Sequence, residues 1–179
     1  MSSRWDEFNR KYEDSVNSLK PRLIIIIYGS YFPESEKNLL ECLKNFLISN
    51  GYESTYIVED FDEQGLNSLE LSQRCLLFAD VNFLIFTEKG KRLGLVRELA
   101  FIALSPEMIT KAAGCVAYDE IFEQQSSISD LSARDLGNLR LVRHEYGTRA
   151  ELEYAVLSEA FWQLRRLSPI LSRRPPYGI

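Results

Sequence analysis

Between Arg4 and Leu19 the apolar residues Trp5, Phe8, Tyr12, Val16 and Leu19 fall three or four positions apart, the spacing of one helix face, and Pro21 stops the pattern. The period then changes. Leu23 to Tyr28 is an unbroken apolar run rich in β-branched residues, which predicts a strand buried on both faces in the middle of a parallel sheet. Leu39, Leu40, Leu43, Phe46 and Leu47 return to helical spacing, with Glu34 and Glu36 at the start and Asn50-Gly51 as a left-handed stop. Tyr52 to Val58 predicts a second strand, and Asn67 with Glu70 forms a capping box that opens a helix through Phe78. Val81 to Thr87 predicts a third strand, Leu95 to Leu104 a third crossover helix, and Gly114 to Tyr118 a fourth strand. Asp119 to Asn138 has broken helical spacing in a Ser-rich stretch and predicts irregular helix and loop; Leu139 to Val142 is a short fifth strand. Thr148 and Glu151 make another capping box, ahead of a last helix lined by Leu152, Val156, Ala160, Leu164 and Leu167.

Strands alternating with helices imply an open α/β sheet covered on both faces. The expected fold is a flavodoxin-like three-layer sandwich with a five-stranded parallel sheet of order 2-1-3-4-5 and an extra N-terminal helix. Three segments follow: an amphipathic helix over 1–20, a single α/β domain over 21–171, and a tail over 172–179 expected to be extended and exposed.

Composition narrows the function. Lys and Arg number 21 against 26 Asp and Glu, so the formal net charge of -5 provides no basic field for a polyanion and nucleic acid is not the expected partner. No apolar run approaches the roughly 18 residues of a membrane span, and Met1 to Lys20 has no apolar signal core, so a soluble cytoplasmic protein is expected. Cys42, Cys75 and Cys115 are odd in number and set among apolar neighbours, as for small core residues in a reducing compartment; no zinc spacing occurs and no metal is expected.

In a sheet of this order the ligand crevice lies beyond the carboxyl ends of the first and third strands. Gly29-Ser30-Tyr31 follows the first strand, where backbone N–H groups and a hydroxyl can hold a phosphate or a ribose; a plain strand-to-helix turn is the alternative. Thr87 to Gly94 follows the third strand as a polar loop with Gly90, Gly94 and three cations, either a ligand lid or a solvated charged loop. On the next helix, Leu95, Val96, Leu99, Ile102 and Ala103 cluster on one side, Arg97 points nearly opposite, and Glu98 falls at the edge of the apolar arc. Glu98 is therefore placed as a ligand-facing acid, or as a surface partner of Arg92 or Arg97. Asp60 or Asp62, after the second strand, could reach a ribose, whereas Asp80 precedes the third strand and is a helix-to-strand turn residue. His144 has no nucleophile motif beside it. The three-glycine dinucleotide fingerprint and the Walker lysine pattern are both absent.

Ala79 to Thr87, the loop with Gly90 and Gly94, and Arg97-Glu98-Leu99-Ala100-Phe101-Ile102-Ala103 resemble the core shared by TIR domains and nucleoside 2-deoxyribosyltransferase-like proteins. Ile26-Ile27-Tyr28-Gly29-Ser30-Tyr31 is similar to the first strand and loop of TIR domains, and the likeness spans about Arg22 to Tyr118. Where TIR domains often carry Trp-Cys ahead of the glutamate, this chain has Val96-Arg97, and the Asp-rich sugar-binding pattern of the transferases is incomplete. The resemblance implies an N-glycosidic enzyme in which Glu98 stabilises or traps a ribosyl centre as the base departs. It implies cleavage of the nicotinamide–ribose bond of NAD, with NAD as substrate and no resident cofactor. Gly29, Ser30, Tyr31, Asp60, Thr87, Gly90 and Gly94 are then the substrate-binding residues. Base exchange between nucleosides is the alternative within that chemistry. Outside it the alternatives are a TIR-like nucleotide sensor without turnover and an interaction module that contacts partners through the leading helix and the helix bearing Glu98; for enzyme and module alike, a homo-oligomer through the N-terminal helix is the expected assembly.

Overall fold

Ile25–Tyr28 (β1) is inaccessible at every position, as the unbroken apolar run requires. A computed structural model describes residues 3–61, 65–87, 90, 93–104, 112–117, 141–144 and 148–175. Within it β1 lies between Thr55–Ile57 (β2) and Val81–Phe86 (β3), parallel to both, with Ile26 opposite Tyr56 on one side and Asn82 on the other. The architecture is therefore α/β, built on an open parallel sheet. Two further strands, Ala112–Ala117 (β4) and Leu141–His144 (β5), follow along the chain.

Alternation along β1 divides the core between two faces. Ile25 and Ile27 pack with Leu40, Leu43 and Leu47 of Glu34–Ser49 (α2) and with Leu152, Val156 and Leu164 of Arg149–Leu171 (α5). Ile26 and Tyr28 pack on the other side with Cys75 and Leu76 of Ser68–Phe78 (α3) and Leu95, Leu99 and Ile102 of Leu93–Leu104 (α4). Arg4–Asn17 (α1) joins the first core only through its last turn, where Val16 is buried; residues 3 to 15 are exposed throughout. Among the described residues no helix is long and apolar enough to cross a membrane.

Local signals set the helix boundaries. Asn67 Oδ1 accepts from the N–H groups of Leu69 and Glu70 while Glu70 accepts from Asn67, and Thr148 with Glu151 repeats the arrangement ahead of α5. Gly51, at φ +92°, supplies the left-handed residue that ends α2.

Two expectations are corrected. The second strand is shorter than Tyr52 to Val58, because Asp60 takes the Ile57 N–H at 2.8 Å and turns Val58–Asp60 into a 3-10 helix. The segment after α5 begins as a turn rather than extended chain, and though Ser172, Arg173 and Pro175 are exposed it is anchored at Arg174: the Arg174 guanidinium reaches both oxygens of Asp80 at 2.7 Å, and Arg22 donates to the carbonyls of Leu171 and Arg174. Expectations for residues 119–138, and for Asp62, Lys89, Lys91 and Arg92, lie outside the described residues.

Candidate active site

The carboxyl ends of β1 and β2 and the starts of α3 and α4 surround a cavity of about 320 Å³. Its position follows from the sheet: the segments leaving β1 and β3 diverge, α2 to one face and α4 to the other, and open the structure at that end. Glu98 forms part of the wall. It is half-buried, enclosed by protein on most sides, and Ser72 of α3 donates to its Oε1 at 2.6 Å. Helical spacing makes the pair. Leu95, Leu99 and Ile102 fix the buried face of α4, and Glu98 stands one turn after Leu95. Ser72, Cys75 and Leu76 share the buried face of α3, which turns the hydroxyl toward α4.

Burial pushes the Glu98 carboxyl above the ordinary carboxylate range, and the Ser72 hydrogen bond partly offsets this by favouring the ionised form. Arg97, on the exposed side of α4, also lines the cavity and makes no ion pair with Glu98. The alternative of a surface pair between these two neighbours is thus not realised.

Two tyrosines complete the apolar part of the wall. Tyr28 is 1% exposed and its hydroxyl has no hydrogen-bond partner among the described residues, whereas Tyr31 is half-buried with its hydroxyl beside the backbone of Val58 and Glu59. Burial pushes both phenols upward, so they remain protonated and can donate. At Gly29 the chain passes close to α2: a Cβ there would stand 2.4 Å from Leu40 Cδ2, so any side chain requires Leu40 to shift. Glu59, from the turn after β2, is a second carboxylate on the wall and is paired with Lys37 at 2.8 Å.

The structure brings Glu98, Gly29, Tyr31 and Gly94 together around this cavity and gathers Ser30, Thr87 and Gly90 into a neighbouring cluster. There Ser30 Oγ donates to the Phe32 carbonyl at 2.6 Å, Thr87 donates to the buried Glu36 carboxylate, and the Gly90 N–H donates to Thr87 Oγ1 at 3.1 Å. A Cβ on Gly90 would meet Ser30 Cβ at 2.7 Å, so the loops after β1 and β3 touch through this glycine. Asp60 is turned away to Lys44, at 2.9 and 3.1 Å, and caps Ile57.

Sequence reasoning missed Ser72, Tyr28 and Glu36. Ser72 had a signal, its place three and four residues before Cys75 and Leu76. Tyr28 was hidden inside a run read as core. Among the described residues no group of three or more His, Cys, Asp or Glu side chains could hold a metal ion. No family model, curated protein or solved structure matches the chain.

Proposed function

We propose that this is a TIR-like, nucleoside 2-deoxyribosyltransferase-like nucleotide N-glycosidase that cleaves the nicotinamide–ribose bond of NAD, on a flavodoxin-like sheet of order 2-1-3-4-5. The observation that carries the reading is Glu98, a half-buried carboxylate held by Ser72 and unpaired with Arg97, on the wall of a cavity at the strand ends. Its ionised form is costly in that setting unless positive charge develops opposite it. In NAD the C1′–N bond breaks with its electron pair passing to the pyridinium nitrogen, so nicotinamide leaves neutral and needs no proton. The C1′ centre becomes oxocarbenium-like, and Glu98 offsets its charge or traps it as an ester. Water then adds at C1′, with the C1′–Glu98 ester bond, where it has formed, breaking to return the carboxylate, and one proton passes to solvent. The second carboxylate of the cavity, Glu59, is occupied by Lys37, and both tyrosines hold their protons firmly. A site short of acids suits a leaving group that needs none.

The volume of about 320 Å³ favours one nucleoside-sized group, so base exchange on a free nucleoside is the second reading. Cys42 and Cys75 form no disulfide among the described residues, which supports a reducing, cytoplasmic setting. The exposed stripe of Trp5, Phe8 and Tyr12 supports self-association through α1. Replacing Trp5 and Phe8 with polar residues then lowers the molecular mass in solution, and a monomeric parent protein at high concentration disposes of the idea.

The decisive experiment is nicotinamide release from NAD, followed by chromatography. Glu98→Gln keeps the shape and the acceptor for Ser72 but removes the charge, so the rate falls by about a hundredfold or more. An undiminished rate in the variant refutes the assignment of Glu98. Should the parent protein release neither nicotinamide nor free base, a nucleotide-binding module without turnover is the reading that stands.

A further inference from the structure

We propose that Glu59 is the catalytic base of this cavity and takes the proton from the water that adds at C1′. The inference rests on the reading of Glu98 given above and deepens it by assigning the second half of the reaction.

Breaking the C1′–N bond of a pyridinium needs no acid, but water cannot end as a sugar hydroxyl without losing a proton. An acceptor is therefore required. Glu98 is engaged at C1′ itself, Ser72 donates to it, and burial keeps the phenols of Tyr28 and Tyr31 protonated. Among the described residues that line the cavity, Glu59 is the carboxylate that remains.

Its place in the fold suits the task. β1 lies between β2 and β3, with Glu59 in the 3-10 turn after β2 and Glu98 on the helix after β3, so the two carboxylates flank the loop after β1 from opposite sides. Tyr31, in that loop, is near both: its hydroxyl lies beside the backbone of Val58 and Glu59, and its phenol bears the field of Glu59 and of Glu98. A sugar lying against Tyr31 then has one carboxylate on each side, the arrangement in which paired carboxylates divide glycosidic chemistry between them.

The surroundings differ as the two roles require. Glu98 is enclosed, whereas the Glu59 side chain is 46% exposed at the rim, so water reaches it and a captured proton can leave. Lys37 holds Glu59 Oε2 at 2.8 Å, and that contact raises the proton affinity of the lysine, so its proton stays on nitrogen. Oε1 is left to accept among the described residues. As the water oxygen bonds to C1′, one of its O–H bonds breaks and the proton passes to Glu59. Where the Glu98 ester has formed, its C1′–O bond breaks and the electron pair returns to the carboxylate. Glu59 then gives the proton to solvent.

The test is nicotinamide release from NAD by Glu59→Gln, which keeps the shape but cannot take the proton. The rate falls by about a hundredfold. Azide, an anion that adds at C1′ with no proton to lose, restores the rate toward that of the parent protein, and the product is ADP-ribosyl azide, identified by mass. A variant as fast as the parent overturns the assignment. So does a slow variant that azide leaves slow, because a side chain that only holds Lys37 or the turn is not replaced by a nucleophile. Either result leaves the Glu98 reading in place, since Glu98→Gln is scored separately. Azide rescue of Glu59→Gln beside an undiminished Glu98→Gln keeps the base and overturns the Glu98 reading. A parent protein that releases no nicotinamide overturns both.

Discussion

Glu98 and Ser72 are a pair with opposing effects on one proton. Burial raises the carboxyl's proton affinity and the 2.6 Å hydrogen bond from Ser72 lowers it. Ser72→Ala removes the lowering effect alone, so the pKa of Glu98 climbs further. If the ionised form is the active one, the NAD-cleavage rate rises with pH through that pKa, and the acid limb of the profile shifts upward in Ser72→Ala. A limb that stays in place separates Glu98 from the rate. The same proton affects folding. A carboxyl whose pKa is higher folded than unfolded binds protons more readily in the native state, so it costs stability above its unfolded value and nothing well below it. Glu98→Gln removes that cost. Its melting temperature relative to the parent protein is expected to rise from pH 3 to pH 7, and a pH-independent difference contradicts the burial argument.

The secondary elements were legible where the signal is local. Asn67 with Glu70, and Thr148 with Glu151, are three residues apart, and both capping boxes form as the spacing predicts. The β-branched run around Ile25 to Tyr28 fixed the middle of the sheet for the same reason. Legibility failed where the partner is distant in sequence. Ser72 meets Glu98 across 26 residues and Arg174 meets Asp80 across 94, so neither contact leaves a periodic trace. Asp60 failed differently: its side chain took a nearby backbone N–H and turned it away from the cavity, a choice that composition does not reveal. The cap on α3 also has a test at this scale. Asn67→Ala unpairs the N–H groups of Leu69 and Glu70, and a loss of about 1 kcal/mol by denaturant unfolding is expected. Because Ser68 and Leu69 line the cavity, nucleotide affinity should weaken with it, whereas Thr148→Ala on α5 should lower stability alone.

Across the whole molecule, the two ends of the sheet have separate tasks. The carboxyl ends of β1 and β2 border the Glu98 cavity, while the amino ends of β1 and β3 are closed by a clasp from the last described turn of the chain. Asp80 accepts the Ile24 N–H at 3.0 Å and binds the Arg174 guanidinium through both oxygens, and the guanidinium returns a hydrogen bond to the Arg22 carbonyl. The pair is shielded enough, with side chains 15% and 29% exposed, for a bidentate charge pair to count where a surface pair would not. Arg174→Ala leaves Asp80 with one donor and is expected to cost about 2 kcal/mol, or roughly 4–8 °C in melting temperature for a chain of this size. Asp80→Asn should cost a similar amount, and the double variant little more than either alone, because the two residues share one interaction. Strict additivity would show that the clasp is not a unit. Lying at the far end of the strands, it should leave nucleotide affinity at the Glu98 cavity unchanged at temperatures where each variant remains folded. A parallel loss of affinity would show instead that the two ends of the sheet are coupled through β1.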